Sequence, residues 1–354
     1  MLRRDFLATV AAVPLAACSR APARNTARDD PAASLGPIEP TLAIYNWSDY
    51  IAPDTIPGFE RAFGVRVSYD TYESNEEMFA KLVAGASGYD LVVPSSYLLD
   101  AMRANRMLMP LHHGHLTNWN NLAPLFLNQP FDPGNRVTMP WQWGMTGLAW
   151  RRDLAAGELH SWGTLLEDRW KGRMTMMDDG REVLGAMLKL RGHALNATAA
   201  DELARARTDA IAAKQLLRAY KSAPVKGDLI AGDVWIAQMW NGDATQAAAE
   251  QPAIEFMVPA EGSAIWTDGA VVLRDAPHPR AAHEFLNYCL RPDVAARIAD
   301  ATGYGSPNLG ALPRQTKRPV PFPTGAERAR LEYFEDLGPA TETWDRLWTE
   351  IKSA

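Results

Sequence analysis

The chain has 354 residues, 47% of them hydrophobic and 22% charged, enough to bury the cores of two ordinary domains. It carries 36 Lys and Arg against 42 Asp and Glu, a net charge of −6, which argues against the basic face that a nucleic-acid partner requires. A charge of this size suits a cationic guest, but it is equally common in proteins kept soluble by repulsion.

Residues 1–17 have the layout of an export signal. Arg3 and Arg4 precede Phe6 and Leu7, and the apolar run that follows ends at Ala17, too short to span a bilayer. The paired arginines resemble a twin-arginine signal. Leu15-Ala16-Ala17-Cys18 resembles a lipobox, which implies cleavage before Cys18 and lipidation of its thiol; the alternative is an ordinary secretion signal with a chance cysteine. The only other cysteine, Cys289 in HEFLNYCL, reads as a buried small hydrophobe, and if Cys18 is lipidated no disulfide is possible within the mature chain. The segment to residue 40 is rich in Pro, Ala, Ser, Asp and Arg, and 18–40 therefore reads as a lipidated Cys and a flexible tether.

From Thr41 onward, strand-like and helix-like stretches alternate. LAIYNW is a short apolar run. Pro53 to Phe63 has helical spacing, VRVSYDTY alternates as a strand does, and NEEMFAKLVAG is helical, with Asn75 as N-cap and Gly85 as stop. YDLVVPSS is a buried strand and turn. Later come RMTMMDD (strand), REVLGAMLKLRG and DELARARTDAIAAKQLLRAY (helices), VWIAQMW (strand), GDATQAAAE (helix), IEFMVPAEG and AIWTDGAVVL (strands), and AAHEFLNYCL and PDVAARIAD (helices). This order predicts an α/β fold with mainly parallel strands.

Ligands of open α/β sheets bind beyond the carboxyl ends of the strands. Trp47, Ser48, Asp49 and Tyr50 follow the first strand; Ser95, Ser96 and Tyr97 follow DLVVP; Asp178, Asp179 and Glu182 follow RMTMM. Trp240 and Asp243 follow VWIAQ, and Trp266 and Asp268 lie in AIWTDGAVV. An aromatic ring beside a carboxylate recurs. Carboxylates bind ammonium groups and aromatic faces attract them, and those faces also cover the methylenes between amines.

Each feature also has a structural reading. Asp179 and Glu182 have capping-box spacing, Trp240 and Trp266 suit a core, Ser95 and Ser96 suit a turn, and Asp49 suits the cap of the helix near Pro53. His112, His113 and His115 in LHHGHL read as a solvated loop rather than a metal site, and neither a metal nor a cofactor is expected. No nucleophile elbow, phosphate loop or zinc motif is present. A carboxylate-bearing guest such as an amino acid calls for a cleft arginine; Arg181 is instead expected to orient Asp179 or Glu182.

IYNWSDYIAPDT, YESNEEMFAKL, YDLVVPSSY, LTNWNNL, DDGREV, MWNGDA, WTDGAVV, FLNYCLRPDVA and ATGYGSPN together resemble the spermidine/putrescine-binding proteins of bacterial ABC importers, in register from about Leu42 to about Asn308. The resemblance implies a two-lobed periplasmic-binding-protein-like fold of type II, with mixed sheets flanked by helices and the ligand cleft between lobes. It divides the body into 41–145 plus 263–316 as lobe 1 and 146–262 plus 317–354 as lobe 2. It implies that Trp47, Asp49, Tyr50, Ser95, Tyr97, Asp179, Glu182, Trp240, Asp243, Trp266, Asp268 and Tyr304 bind the ligand. YNWSDY and Asp243 resemble the putrescine branch, DDGREV and WTD the spermidine branch, and Phe334 stands where the spermidine branch offers an amide. The expected protein is an exported, membrane-anchored, monomeric binding component with no catalytic cycle. Its expected partners are a polyamine and an ABC permease. The alternatives are a binder of another small organic cation, a polyamine-sensing receptor, or a secreted hydrolase.

Overall fold

The computed structural model describes residues 30–85, 88–157, 159–222, 224–317 and 325–354. The export signal and Cys18 lie outside them. Among the described residues ten strands are present: β1 (Thr41–Trp47), β2 (Arg66–Tyr72), β3 (Leu91–Val92), β4 (Thr138–Arg151), β5 (Met174–Met176), β6 (Leu217–Tyr220), β7 (Ile236–Trp240), β8 (Ile254–Met257), β9 (Ser263–Val272) and β10 (Leu331–Glu332). They run in the order β2-β1-β3-β9-β4-β7-β5-β6, with β10 beside β9 and β8 beside β4. β1 is parallel to β2 and β3, and β5 is parallel to β6 and β7, as the alternating pattern predicts. β4 and β9 are the exceptions: β9 runs antiparallel to β3 and β4, and β4 runs antiparallel to β7 and β8.

Among the described residues the helices are α1 (Thr55–Phe63), α2 (Asn75–Val83), α3 (Leu99–Ala104), α4 (Gly180–Leu190), α5 (Ala200–Lys214), α6 (Val225–Ala231), α7 (Asn241–Glu250), α8 (Pro279–Cys289), α9 (Pro292–Thr302), α10 (Gly325–Ala329) and α11 (Thr341–Ser353). Two large cores result. One gathers Leu42, Ile44, Phe59, Leu91, Met139, Trp141, Val272, Phe285 and Leu286; the other gathers Leu148, Trp150, Trp162, Met174, Val183, Met187, Ile236, Trp344 and Ile351. β4 serves both. Its Thr138–Met145 half pairs with β9, and its Thr146–Trp150 stretch pairs with β7.

All fourteen residues of β4 are buried. A strand covered on both faces has no period-two signature, which is why no alternation marks it in the sequence. Its start is fixed by Asp132, which is 2% exposed. This carboxylate accepts from the backbone N–H groups of Arg136, Val137 and Thr138, from Thr138 Oγ1 at 2.7 Å and from Arg103 at 3.1 Å.

Several local expectations are corrected. Ser74, not Asn75, caps α2, because its hydroxyl accepts from Glu77 N. α1 starts at Thr55, with Asp54 in the cap position and no side-chain cap bond. The helical pattern read through to Tyr220 breaks after Lys214, and Leu217–Tyr220 is an edge strand; no Gly or Pro marks that break. His112 is buried rather than solvated, with its N–H donating to His283 Nε2 at 3.0 Å and its Nδ1 2.9 Å from the Ala33 carbonyl. The last part of the expected tether is likewise docked. Leu35 packs on the first core, and Glu39 accepts from Ala281 N at the start of α8.

Asp132→Ala leaves several buried donors unpaired and is expected to cost about 3–5 kcal/mol. Asp100→Ala removes only an exposed partner of Arg103 and is expected to cost under about 1 kcal/mol. Urea denaturation of the two variants measures the contrast.

Candidate functional site

The carboxyl ends of β1 and β7, the central part of β9 and the start of α4 meet around one cleft that encloses about 730 Å³ of unfilled space, part of it open to solvent. Eleven of the twelve residues predicted to bind ligand line it: Trp47, Tyr50, Ser95, Tyr97, Asp179, Glu182, Trp240, Asp243, Trp266, Asp268 and Tyr304. Asp49 does not. It adopts φ 53°, its side chain is 65% exposed, and it pairs with Lys226 at 2.8 Å.

Asp268 is buried, at 4% exposure, as is Asp243. Tyr50 Oη donates to its Oδ2 at 2.9 Å, and Ser95 Oγ donates to its Oδ1 at 2.6 Å. The ladder between β4 and β9 shifts register at Pro140–Gln142, opposite Asp268 and Gly269. Such a bulge re-aims the neighbouring side chains and tolerates a proline in the strand. Trp266, two residues earlier, shares the face of Asp268, and its ring covers Gly144, where any Cβ would collide with the indole.

The opposite wall holds a second acidic centre. Asp179 caps α4, accepting from Arg181 N at 2.8 Å and Glu182 N at 3.1 Å, both at Oδ1. Glu182 does not complete a capping box. Its Oε1 accepts from Thr146 Oγ1 at 2.8 Å and Trp240 Nε1 at 3.2 Å, so it faces the cleft. Arg181 makes no hydrogen bond from its guanidinium to either acid. It donates to Asn196 Oδ1 and the Glu335 carbonyl, and its guanidinium lies 5.0–5.4 Å from the ring centroids of Tyr97, Phe334 and Trp344.

Rings fill the space between the acids. Trp47 meets Trp240 edge-on at 6.0 Å, held by its Nε1 bond to the Val93 carbonyl. Tyr304 meets both Tyr50 and Trp266 edge-on at 5.2 Å. Gly242 leaves room for the Tyr304 ring, which a Cβ there would strike. The sequence pattern misses Asn75, whose amide accepts from Ser95 N and donates to Tyr97 Oη, and Tyr72, whose hydroxyl holds the Val93 carbonyl. Asn75 was disguised as a cap.

Residues 56–324 match the model of the bacterial extracellular solute-binding protein family. The chain belongs to the bacterial extracellular solute-binding proteins. It is 33% identical over 319 residues to a spermidine/putrescine-binding periplasmic protein of Escherichia coli, covering 88% of this chain and 92% of that one. It superposes with a TM-score of 0.84 on a solved structure described as a putative spermidine/putrescine ABC transporter from Listeria monocytogenes, at 31% identity over 89% of this chain and 99% of that one. A lipoprotein of Treponema pallidum superposes with a TM-score of 0.81 at 29% identity, over 88% and 99% of the two chains. The solute-binding protein accordingly has the expected two-lobed type II fold with its cleft between the lobes.

The cleft of this solute-binding protein is short of positive charge. Five carboxylates line it, those of Glu73, Asp179, Glu182, Asp243 and Asp268, against one guanidinium that is already engaged. Burial pushes Asp268 up to about 7, against the pull of its two hydroxyl donors. Burial pushes Asp243 up to about 6, and Lys226 only partly offsets this. Glu182 is raised by burial and then by the charge of Asp179. Among the described lining residues there is no histidine or cysteine, and the Ser95 hydroxyl donates to a carboxylate rather than to a base.

A carboxyl whose pKa is raised by folding binds more protons in the native state than in the unfolded chain between its two pKa values. Asp268 therefore withdraws stability from the empty protein as pH rises from about 4 to about 7, by at most about 1.4 kcal/mol per pH unit. Denaturation midpoints of the empty protein are expected to fall over that window, and Asp268→Asn is expected to flatten the fall.

Proposed function

We propose that this solute-binding protein captures a polyamine outside the cytoplasm and delivers it to an ABC permease. Two acidic centres, buried Asp268 on one wall and half-buried Asp179 with buried Glu182 on the other, with indole and phenol rings between them, carry this reading. An elongated guest with an ammonium at each centre restores charge to both, and its methylenes lie against Trp47, Trp240 and Trp266. Several relatives bear names for proteins that bind spermidine, putrescine or both, which supports the same guest class.

The lobes proposed to close on the guest are 41–145 plus 263–316 and 146–262 plus 317–354. The eleven lining residues form the wall of the proposed ligand site, and the cycle contains no chemical step. The proposed export signal directs the chain out of the cytoplasm, and after its removal the proposed lipid at Cys18 holds a monomeric body at a membrane surface; the similar structure described as a lipoprotein supports the anchor. Among the described residues no helix is long and apolar enough to cross a membrane.

Calorimetry of the folded body with putrescine and spermidine tests the proposal; absence of heat with both sinks it. Asp268→Asn is expected to cost about 3–5 kcal/mol, more than a hundredfold in Kd, because an ammonium is left without its counter-charge. Exposed Asp168→Asn is expected to change Kd by less than twofold.

The pH profile follows from the raised carboxyls. Below about 7 the empty site holds a proton on Asp268 that an incoming ammonium must expel. Affinity is expected to weaken by up to about tenfold per unit as pH falls through that value, while the amines stay charged. A flat Kd between pH 8 and pH 5.5 would contradict the assignment of Asp268 as an ammonium acceptor.

A further inference from the structure

Lys226, on α6, belongs to none of the motifs that mark the cleft, yet it reaches the cleft's edge. Its ammonium donates to Asp49 Oδ2 at 2.8 Å and to Gln246 Oε1 at 2.8 Å, and lies 3.6 Å from Asp243 Oδ1. Asp49 comes from the turn after β1; Gln246 and Asp243 come from α7. Three acceptors therefore surround a group that has three donors. The lysine side chain is 15% exposed and that of Asp243 6% exposed, so the pair is shielded from water while Asp49 holds the outer side.

This is the environment of a bound ammonium ion, supplied by the chain itself. Burial alone drives a lysine toward its neutral form. Here Asp243 and Asp49 outweigh burial and hold Lys226 above its ordinary value, so it stays charged. Among the described residues, Asp243 is thus the buried cleft acid with a protein cation within ion-pair distance. Asp268 has only hydroxyl donors, and Glu182 has a hydroxyl and an indole N–H.

We propose that Lys226 is a specificity-determining residue: its ammonium takes the place of a guest ammonium at Asp243 and confines the guest to the two centres at Asp268 and Asp179–Glu182. The inference rests on the polyamine reading above and adds which part of the cleft the guest reaches. A longer guest with a further charge gains nothing at Asp243 unless it displaces Lys226 from all three acceptors. Such a guest is penalised relative to one with two charged ends.

The test compares putrescine and spermidine by calorimetry, at one pH and one salt concentration, on wild type, Lys226→Met, Lys226→Arg and Lys226→Met/Asp243→Asn. Lys226→Met keeps the apolar stem and frees Asp243. It is expected to shift the ratio of the two Kd values about tenfold toward spermidine. Lys226→Arg keeps the charge and is expected to hold the wild-type ratio, and the double variant is expected to return to it. Lys226→Gln serves in place of the Met variant should that one melt early, with the same expected shift. A ratio that moves by less than threefold in the Met or Gln variant overturns the inference, as does an Arg variant that moves as far as Met. Those outcomes leave polyamine capture standing. No heat from either amine with any of the proteins removes polyamine capture, and this inference with it.

Discussion

A buried carboxylate without a cation is an expensive thing to keep. The cleft keeps several, and most of its architecture follows from that cost. Asp268 is stabilised by two hydroxyl donors, and Glu182 by a hydroxyl and an indole N–H. These neutral donors lessen the penalty without cancelling the charge, so each acid stays hungry for a positive partner. A neighbouring arginine would have removed the penalty and the affinity together. The one guanidinium on the wall, Arg181, is turned instead toward Asn196 and the Glu335 carbonyl and braced by three rings. The aromatic walls act in the same direction, since apolar surroundings strengthen every charge interaction inside the cleft.

The elements that present the acids are rigid where precision is needed. Asp268 sits on a central strand beside a register shift, Asp179 is tied to the helix it starts, and Glu182 lies one turn further along. Placing binding groups on strands and helix starts reduces the ordering cost of capture, which falls instead on the flexible guest.

Much of this was legible in the residues. Strand ends, the recurring pairing of ring and acid, and the joint register of nine motifs located eleven lining residues and the fold class. What stayed hidden has physical causes. β4 is covered on both faces and lacks alternation, so the central strand leaves no periodic mark. The break after Lys214 has no punctuating residue. Asn75 sits one position inside a helix start, where cap chemistry masks its bonds to Ser95 and Tyr97. Asp49 shares the YNWSDY motif with the lining residues Trp47 and Tyr50, but a left-handed backbone at that residue accompanies a side chain that lies outside the cleft. Lys226 and Thr146 act through tertiary proximity, with no local pattern to announce them.

The fourteen-residue strand β4 is shared property of both cores: its first half is laddered to β9 and its second to β7 and β8. Neither half-molecule can melt without stripping hydrogen bonds and apolar cover from a segment the other needs. The amides in the middle of that strand are therefore expected to exchange with solvent through opening of the whole body, coupling the unfolding of the two lobes despite their separate interiors.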